Sequence, residues 1–280
     1  MLLGIIGATA VIAVLTKKKK TWLMSRRHIE KYKDKDSGGS ASCPKNGIKL
    51  DNVEVYLINM DKNKERLANF VEQYMLSDLK YKQFNRMSAV DGKSLVIDEY
   101  VTQQALQEIK DLDRKGYRTK HYQLSRGAIG CYLSHLNVYK KVMQGDAEYA
   151  LIFEDDAMLD SNIFSKLNKS LSTIPNDWDM LLLGCYCIVC DKYEKYYDLD
   201  RFFFMHAYII KKSSAKLVFE ELDKKRISQQ IDSELSDMIN NGKLRIYCLK
   251  DSIARQGTFD TTIQMPLKVM PGVDPFEAVH

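Results

Sequence analysis

Proline and glycine are scarce in this sequence. Five prolines and 14 glycines in 280 residues are too few for a collagenous or low-complexity chain. Cysteine is scarce too: six residues permit disulfides but fall far short of a small secreted scaffold. A chain this long can bury a full core without such staples. No internal repeat is present. The body also lacks net positive charge. The formal net charge is +5, but residues 17–36 hold nine basic side chains against three acidic ones, and residues 1–16 carry none of either sign. Residues 37–280 therefore sum to −1. A near-neutral body excludes an extended phosphate-tracking surface, so no nucleic-acid partner is expected.

The basic run has a local explanation. Met1–Leu15 is apolar apart from one threonine, and Lys17–Lys20 follow at once. As a helix this segment is about 23 Å long, short of the ~30 Å hydrocarbon core. Snorkelling lysines and Trp22 make up the difference. A secretory signal places its charge before the apolar run; here it comes after. Residues 1–16 are therefore expected to be a retained, single-pass membrane anchor, with the body in the cytosol by the positive-inside rule. A cleaved signal or a buried helix is the alternative. Residues 17–50, with Ser37-Gly38-Gly39-Ser40, read as a basic, flexible linker, residues 51–265 as the catalytic body, and residues 266–280, with Pro266, Pro271 and Pro275, as an irregular tail. Asn168-Lys169-Ser170 is a glycosylation sequon, irrelevant in the cytosol.

From Asp51 onward, strand and helix patterns alternate. Val53–Asn59 reads as a short apolar strand. Asp61 is expected to cap a helix whose positions Leu67, Phe70, Val71, Tyr74 and Met75 share one face. Tyr81–Ala89 is a second candidate strand. Ser125 opens an amphipathic helix with Ile129, Tyr132, Leu133, Leu136 and Met143 on one side, ended by Gly145. Tyr149–Phe153 and Trp178–Leu183 read as buried strands. Phe202–Ile210, apolar throughout, is expected to be one central strand. Ser213–Leu222 and Ser228–Ile239 read as helices and Leu244–Leu249 as a last strand. The alternation predicts an α/β layer fold with a mostly parallel sheet. Cys185-x-Cys187-x-x-Cys190 offers three close ligands to zinc but no second Cys/His pair, so buried free thiols near a strand end are expected.

Glu154-Asp155-Asp156 is the most informative spot. Three acids follow a buried strand, and open α/β sheets bind ligands at the carboxyl ends of their strands. Like charges packed together are costly unless a cation neutralises them, and Mg²⁺ or Mn²⁺ suits oxygen ligands. A solvated acidic turn is the competing reading of the triplet taken alone.

The surrounding text resembles a known family. Ser125-Arg126-Gly127-Ala128-Ile129-Gly130-Cys131-Tyr132-Leu133-Ser134-His135 precedes Tyr149-Ala150-Leu151-Ile152-Phe153-Glu154-Asp155-Asp156-Ala157. Val55-Tyr56-Leu57-Ile58-Asn59-Met60-Asp61 with Glu65-Arg66 lies upstream; Trp178-Asp179-Met180-Leu181-Leu182-Leu183-Gly184 and His206-Ala207-Tyr208-Ile209-Ile210 lie downstream. In this order and spacing, over about residues 51–260, they resemble glycosyltransferase family 25. The resemblance implies a GT-A-like nucleotide-sugar-binding fold, a UDP-sugar donor (usually UDP-galactose), a glycan or glycoprotein acceptor, a divalent metal (Mn²⁺ or Mg²⁺) and inversion. It makes Asp156 the metal ligand, with Asp155 beside it as a second ligand and contact to the donor ribose or sugar, and puts Asn59 and Arg66 at the nucleotide pocket. The cysteine-rich stretch and the amino-terminal anchor depart from the family's common pattern.

Other roles follow from the chemistry. An acceptor hydroxyl needs a base as it attacks, and Asp232 at the start of a late helix is the candidate; a plain helix-start acid is the alternative. His135 is expected to contact phosphate or support the site, and His206 to be a metal ligand, a support, or simply buried. Arg255 after the last strand could reach a diphosphate. Another metal-dependent nucleotide-using enzyme, such as a nucleotidyltransferase, and a non-catalytic tethered sugar-nucleotide-binding domain are the competing functions.

Overall fold

In a computed structural model, residues 47–120, 123–257 and 266–268 are described. The expected membrane anchor, nearly all of the expected linker and most of the expected tail lie outside these residues. Among the described residues, no helix is long and apolar enough to cross a membrane.

In chain order the strands are β1 (Val53–Asn59), β2 (Phe84–Ser88), β3 (Tyr149–Glu154), β4 (Ala157–Leu159), β5 (Met180–Leu182), β6 (Tyr186–Lys192), β7 (Tyr196–Phe203), β8 (Ala207–Lys211), β9 (Ile246–Leu249) and β10 (Ala254–Gln256). The helices are α1 (Lys64–Leu76), α2 (Gln103–Lys115), α3 (Arg126–Gln144), α4 (Ile163–Leu171), α5 (Lys212–Leu222) and α6 (Ile231–Asn240). Eight strands form one sheet in the order β2-β1-β3-β8-β5-β9-β7-β6, and β4 pairs with β10 in a separate ribbon. Residues alternate between two cores. Tyr56, Ile58, Ile152 and Tyr208 pack under α2, α3, α5 and α6. Val55, Leu57, Phe153 and Ile209 pack under α1 and α4. Strands covered on both faces read as continuous apolar runs, which is why these segments stand out in the sequence.

The α/β architecture agrees with expectation, but the sheet is mixed rather than mostly parallel. β1–β2, β1–β3 and β5–β9 are parallel; the other four pairings are antiparallel. β8 runs antiparallel between β3 and β5. The expected strand Phe202–Ile210 is in fact two. β7 stops at Phe203, Phe204 takes a positive φ of 75°, and β8 begins at Ala207. Phe202 and nearly all of β8 are buried and the residues between them are mainly apolar, so hydropathy does not reveal the break.

Two local expectations are corrected. Asp61 does not cap α1; Asn63 stands at that position, and the Asp61 carboxylate accepts hydrogen bonds from Arg86 and Ser88, both at 2.6 Å. Cys185, Cys187 and Cys190 are not free thiols: Cys185 is bonded to Cys248, and Cys187 to Cys190. The first bond ties the entry of the β6–β7 hairpin to β9. Among the described residues, Cys131 is the free cysteine.

Candidate active site

The carboxyl ends of β1 and β3 open into a cavity of about 330 Å³. Glu154, Asp155 and Asp156 enter it from the end of β3, Asn63 and Arg66 from the start of α1, Cys131 and His135 from α3, and Asp232 from α6. With Asp91 from the loop after β2, five acids thus meet one arginine; no other Lys or Arg is among the described residues lining the cavity.

The opposite wall depends on close backbone approach. A Cβ on Gly92 would lie 1.7 Å from the Arg126 carbonyl oxygen, and one on Gly130 would lie 2.3 Å from that of Val90. Ser134 fastens the same contact: its Oγ accepts from the Val90 amide at 2.9 Å and donates to the Gly130 carbonyl at 2.6 Å. Ser125 caps α3 by accepting from the Ala128 amide. The loop after β2 is thereby pressed onto the first turns of α3.

Asp155 is fully engaged. Asn59 Nδ2 donates to one oxygen at 2.7 Å, and Arg66 Nη1 to the other at 3.1 Å. Asn59 is in turn fixed by Arg86, whose Nε donates to its Oδ1 at 2.9 Å. Three residues expected near the nucleotide pocket, Asn59, Arg66 and Asp155, are therefore brought together as one clasp.

Asp156 differs from its neighbour. Gln256 Nε2 donates to Oδ2 at 3.1 Å, but Oδ1 is buried without a hydrogen-bond partner. Burial first, then the charge of Glu154, raises this carboxyl to about 7. A buried unpaired carboxylate oxygen is costly unless a proton or cation meets it. The donor set therefore fits a hard divalent cation, with Asp156 as its best-placed ligand.

Glu154 sits on a buried chain of hydrogen bonds. His135 Nε2 lies 3.1 Å from Glu154 Oε1, and His135 Nδ1 lies 2.8 Å from Tyr208 Oη, which donates to Tyr139 Oη at 3.0 Å. Burial pushes the Glu154 carboxyl up, but the hydrogen bond and charge of His135, with His206 and Arg66, hold it below the usual range.

The break between β7 and β8 feeds the site. Phe204, Met205 and His206 line the cavity. The Phe204 amide donates to the Asp232 carboxylate, as do the amides of Ser233 and Asp232 itself. Burial nevertheless dominates and raises Asp232 to about 7. His206 Nε2 donates to the Ala254 carbonyl at 3.1 Å; its Nδ1 is buried without a partner, and burial lowers the pKa of the ring. A non-glycine residue at positive φ is a strained element of the kind found at functional sites.

The structure does not bring Arg255 to the acids. Its side chain is mostly exposed and donates to Asp160 at 3.0 Å, in a shallow groove beside the cavity. Gln256 takes the place next to Asp156, because pairing of β10 with β4 sets Gln256 opposite Ala157. Sequence reasoning also missed Gly92, Ser134 and Phe204. Gly130 and Ser134 belong to the quoted motif, but their partner loop is distant in sequence.

The model of glycosyltransferase family 25 (LPS biosynthesis protein) matches residues 52–235, about two thirds of the chain. The chain belongs to glycosyltransferase family 25. This family 25 chain is 31% identical to human procollagen galactosyltransferase 2 over 146 residues, 50% of this chain and 22% of that protein. It is 26% identical over 148 residues to a rat relative named probable inactive glycosyltransferase 25 family member 3, covering 50% of this chain and 24% of that protein. The match thus spans less than a quarter of these relatives' length. Among solved structures, S. aureus TarS 1-349 with UDP-GlcNAc is similar at a TM-score of 0.40 and 12% identity, covering 75% of this chain and 60% of that one.

Proposed function

We propose that this chain transfers a sugar, galactose first among the candidates, from a UDP-sugar to a hydroxyl of a glycan or glycoprotein acceptor, with inversion. A divalent cation, Mn²⁺ or Mg²⁺, is part of the proposal, as is attachment to a membrane through residues 1–16. The observation that carries the reading is the meeting of Asp156 and Asp232 in one cavity. Both are buried acids raised to about 7; Asp156 keeps an unpartnered oxygen, and Asp232 is oriented by backbone amides.

The division of labour follows. Asp232 accepts the acceptor hydroxyl's proton as its oxygen bonds to the anomeric carbon and the bond to the diphosphate breaks. A base with a pKa near the working pH balances availability against strength. Asp156 would hold the cation, which supplies charge neutralisation at the diphosphate oxygens. Asp155, clasped by Asn59 and Arg66, is better placed to orient donor groups than to act as first metal ligand, since both its oxygens are engaged. His135 holds Glu154 in place. With Arg255 turned away, Gln256 is the polar contact from β10.

A donor screen tests this reading. The purified full chain is incubated with UDP-, GDP- and CMP-sugars, with Mn²⁺ or with chelator, and nucleotide release is followed. UDP release that needs the cation is expected. Release of pyrophosphate from a nucleoside triphosphate would favour the nucleotidyltransferase alternative, and tight binding without turnover would favour a non-catalytic domain.

A further inference from the structure

The cavity wall formed by α3 and the end of β3 carries a different set of ligand atoms. Cys131 and His135 lie one turn apart on α3, and Glu154 faces them from the end of β3. Their ligand atoms all lie within 4.8 Å of one another. His135 is fully buried, and its ring is held from behind. Tyr208 gives its proton to Tyr139, so the Tyr208 oxygen accepts from His135 Nδ1–H. That leaves Nε2 facing Glu154 Oε1 at 3.1 Å. A lone pair and a carboxylate oxygen stay at that distance only with a cation between them, a proton or a metal.

The oxygen-ligand position is marked separately, by two buried acceptor atoms without a hydrogen-bond partner among the described residues: Asp156 Oδ1 and His206 Nδ1. These residues are only 8% and 4% exposed. Burial first, then the charges of Glu154, Asp232 and Asp156, raise the Cys131 thiol, so only a bound cation would make its thiolate favourable here.

The two walls suit different ions. Oxygen ligands suit Mg²⁺ or Mn²⁺, whereas thiolate with imidazole selects zinc-like ions. In a tetrahedral site with bonds of about 2.0–2.1 Å to N and O, neighbouring ligand atoms lie roughly 3.3 Å apart. The His135–Glu154 separation of 3.1 Å is close to that edge. A histidine ligand normally has its other ring nitrogen tied by a hydrogen bond, as Tyr208 does here.

We propose that Cys131, His135 and Glu154 form a second cation site, selective for Zn²⁺, on the wall of this cavity and separate from the oxygen-ligand position at Asp156. The Cys131 thiolate and the Glu154 carboxylate neutralise the dication. The protons displaced from Sγ and from between Nε2 and Oε1 go to solvent. All three ligand residues line the cavity, so bound Zn²⁺ would lie on its wall. The site does not depend on glycosyl transfer and is testable without turnover.

Calorimetric titration of Zn²⁺ into the unreduced full chain, in two buffers of different ionisation heat, should show one ion per chain with proton release. Co²⁺ as a probe should give a thiolate-to-metal charge-transfer absorption. Cys131→Ser should abolish that absorption and weaken Zn²⁺ binding roughly tenfold or more, with Mn²⁺ binding unchanged. Cys131→Ala serves as the second variant, and metal-free melting curves matching the unaltered chain show that both fold. Zn²⁺ binding unchanged in both variants, absence of the charge-transfer band in the unaltered chain, or an equal loss of Mn²⁺ binding would overturn the proposal.

Discussion

Asp232 is held by three backbone amides, each of which favours its charged form, yet burial outweighs them and lifts the carboxyl to about 7. From an ordinary value near 4, that shift corresponds to on the order of 4 kcal/mol against ionisation in the fold. The folded pKa is raised, so the stability at stake is present below about pH 4 and lost as pH rises through 7. As a base the residue works only when ionised, so turnover should climb with pH and level off above about 7. Asp232→Asn should lower kcat by roughly 10²–10⁴-fold with little change in donor affinity, checked by steady-state kinetics. Asp156 is raised to about 7 as well, and loss of stability above pH 7 should be reversed by Mn²⁺, as a melting curve in each condition would record. The acidic triplet was legible in the sequence because three acids after a buried strand are unusual. The difference between Asp155 and Asp156 was not, because it depends on Asn59, Arg66 and Gln256, which arrive from three other elements.

Elements fix where these residues meet. The strands β1 and β3 and the helix α3 are plain in the sequence, since their apolar periodicities match their structures. The course of β7 and β8 is not. An unbroken apolar run conceals the turn at Phe204, and that turn delivers His206 beside Glu154, where the Glu154 amide donates to the His206 carbonyl. The mixed sheet is equally hidden: β8 runs against β3 and β5, and β7 against β9, which hydropathy does not encode. On the other side, the loop after β2 rests on α3 without room for a side chain at Gly130. Gly130→Ala forces backbone against Cβ and should cost about 1–3 kcal/mol. Urea denaturation measures the loss, and weakened donor binding should accompany it because the loop forms a cavity wall.

At the scale of the molecule, two disulfides bind the β6–β7 hairpin to itself and to β9. Disulfides persist in oxidising surroundings. The cytosolic placement expected from the lysines after the apolar run concerns a segment that lies outside the described residues. A peptide map without reduction should recover the Cys185–Cys248 and Cys187–Cys190 pairs. Reducing the former, which closes 63 residues, should cost about 2–4 kcal/mol. The sequon at Asn168 is a poor reporter of topology, because its side-chain amide both donates to and accepts from the Ile48 backbone. A glycan there would break that pairing. Protease protection in sealed vesicles reads the topology directly.

The central claim is that this cavity cleaves a sugar nucleotide with the help of a cation held by Asp156. The most direct measurement is UDP release from UDP-galactose by the unaltered chain and by Asp156→Asn, each with Mn²⁺ and with chelator. The account predicts release by the unaltered chain only when Mn²⁺ is present, and none by the variant in either condition. Equal release by the variant, or release that survives the chelator, would contradict it.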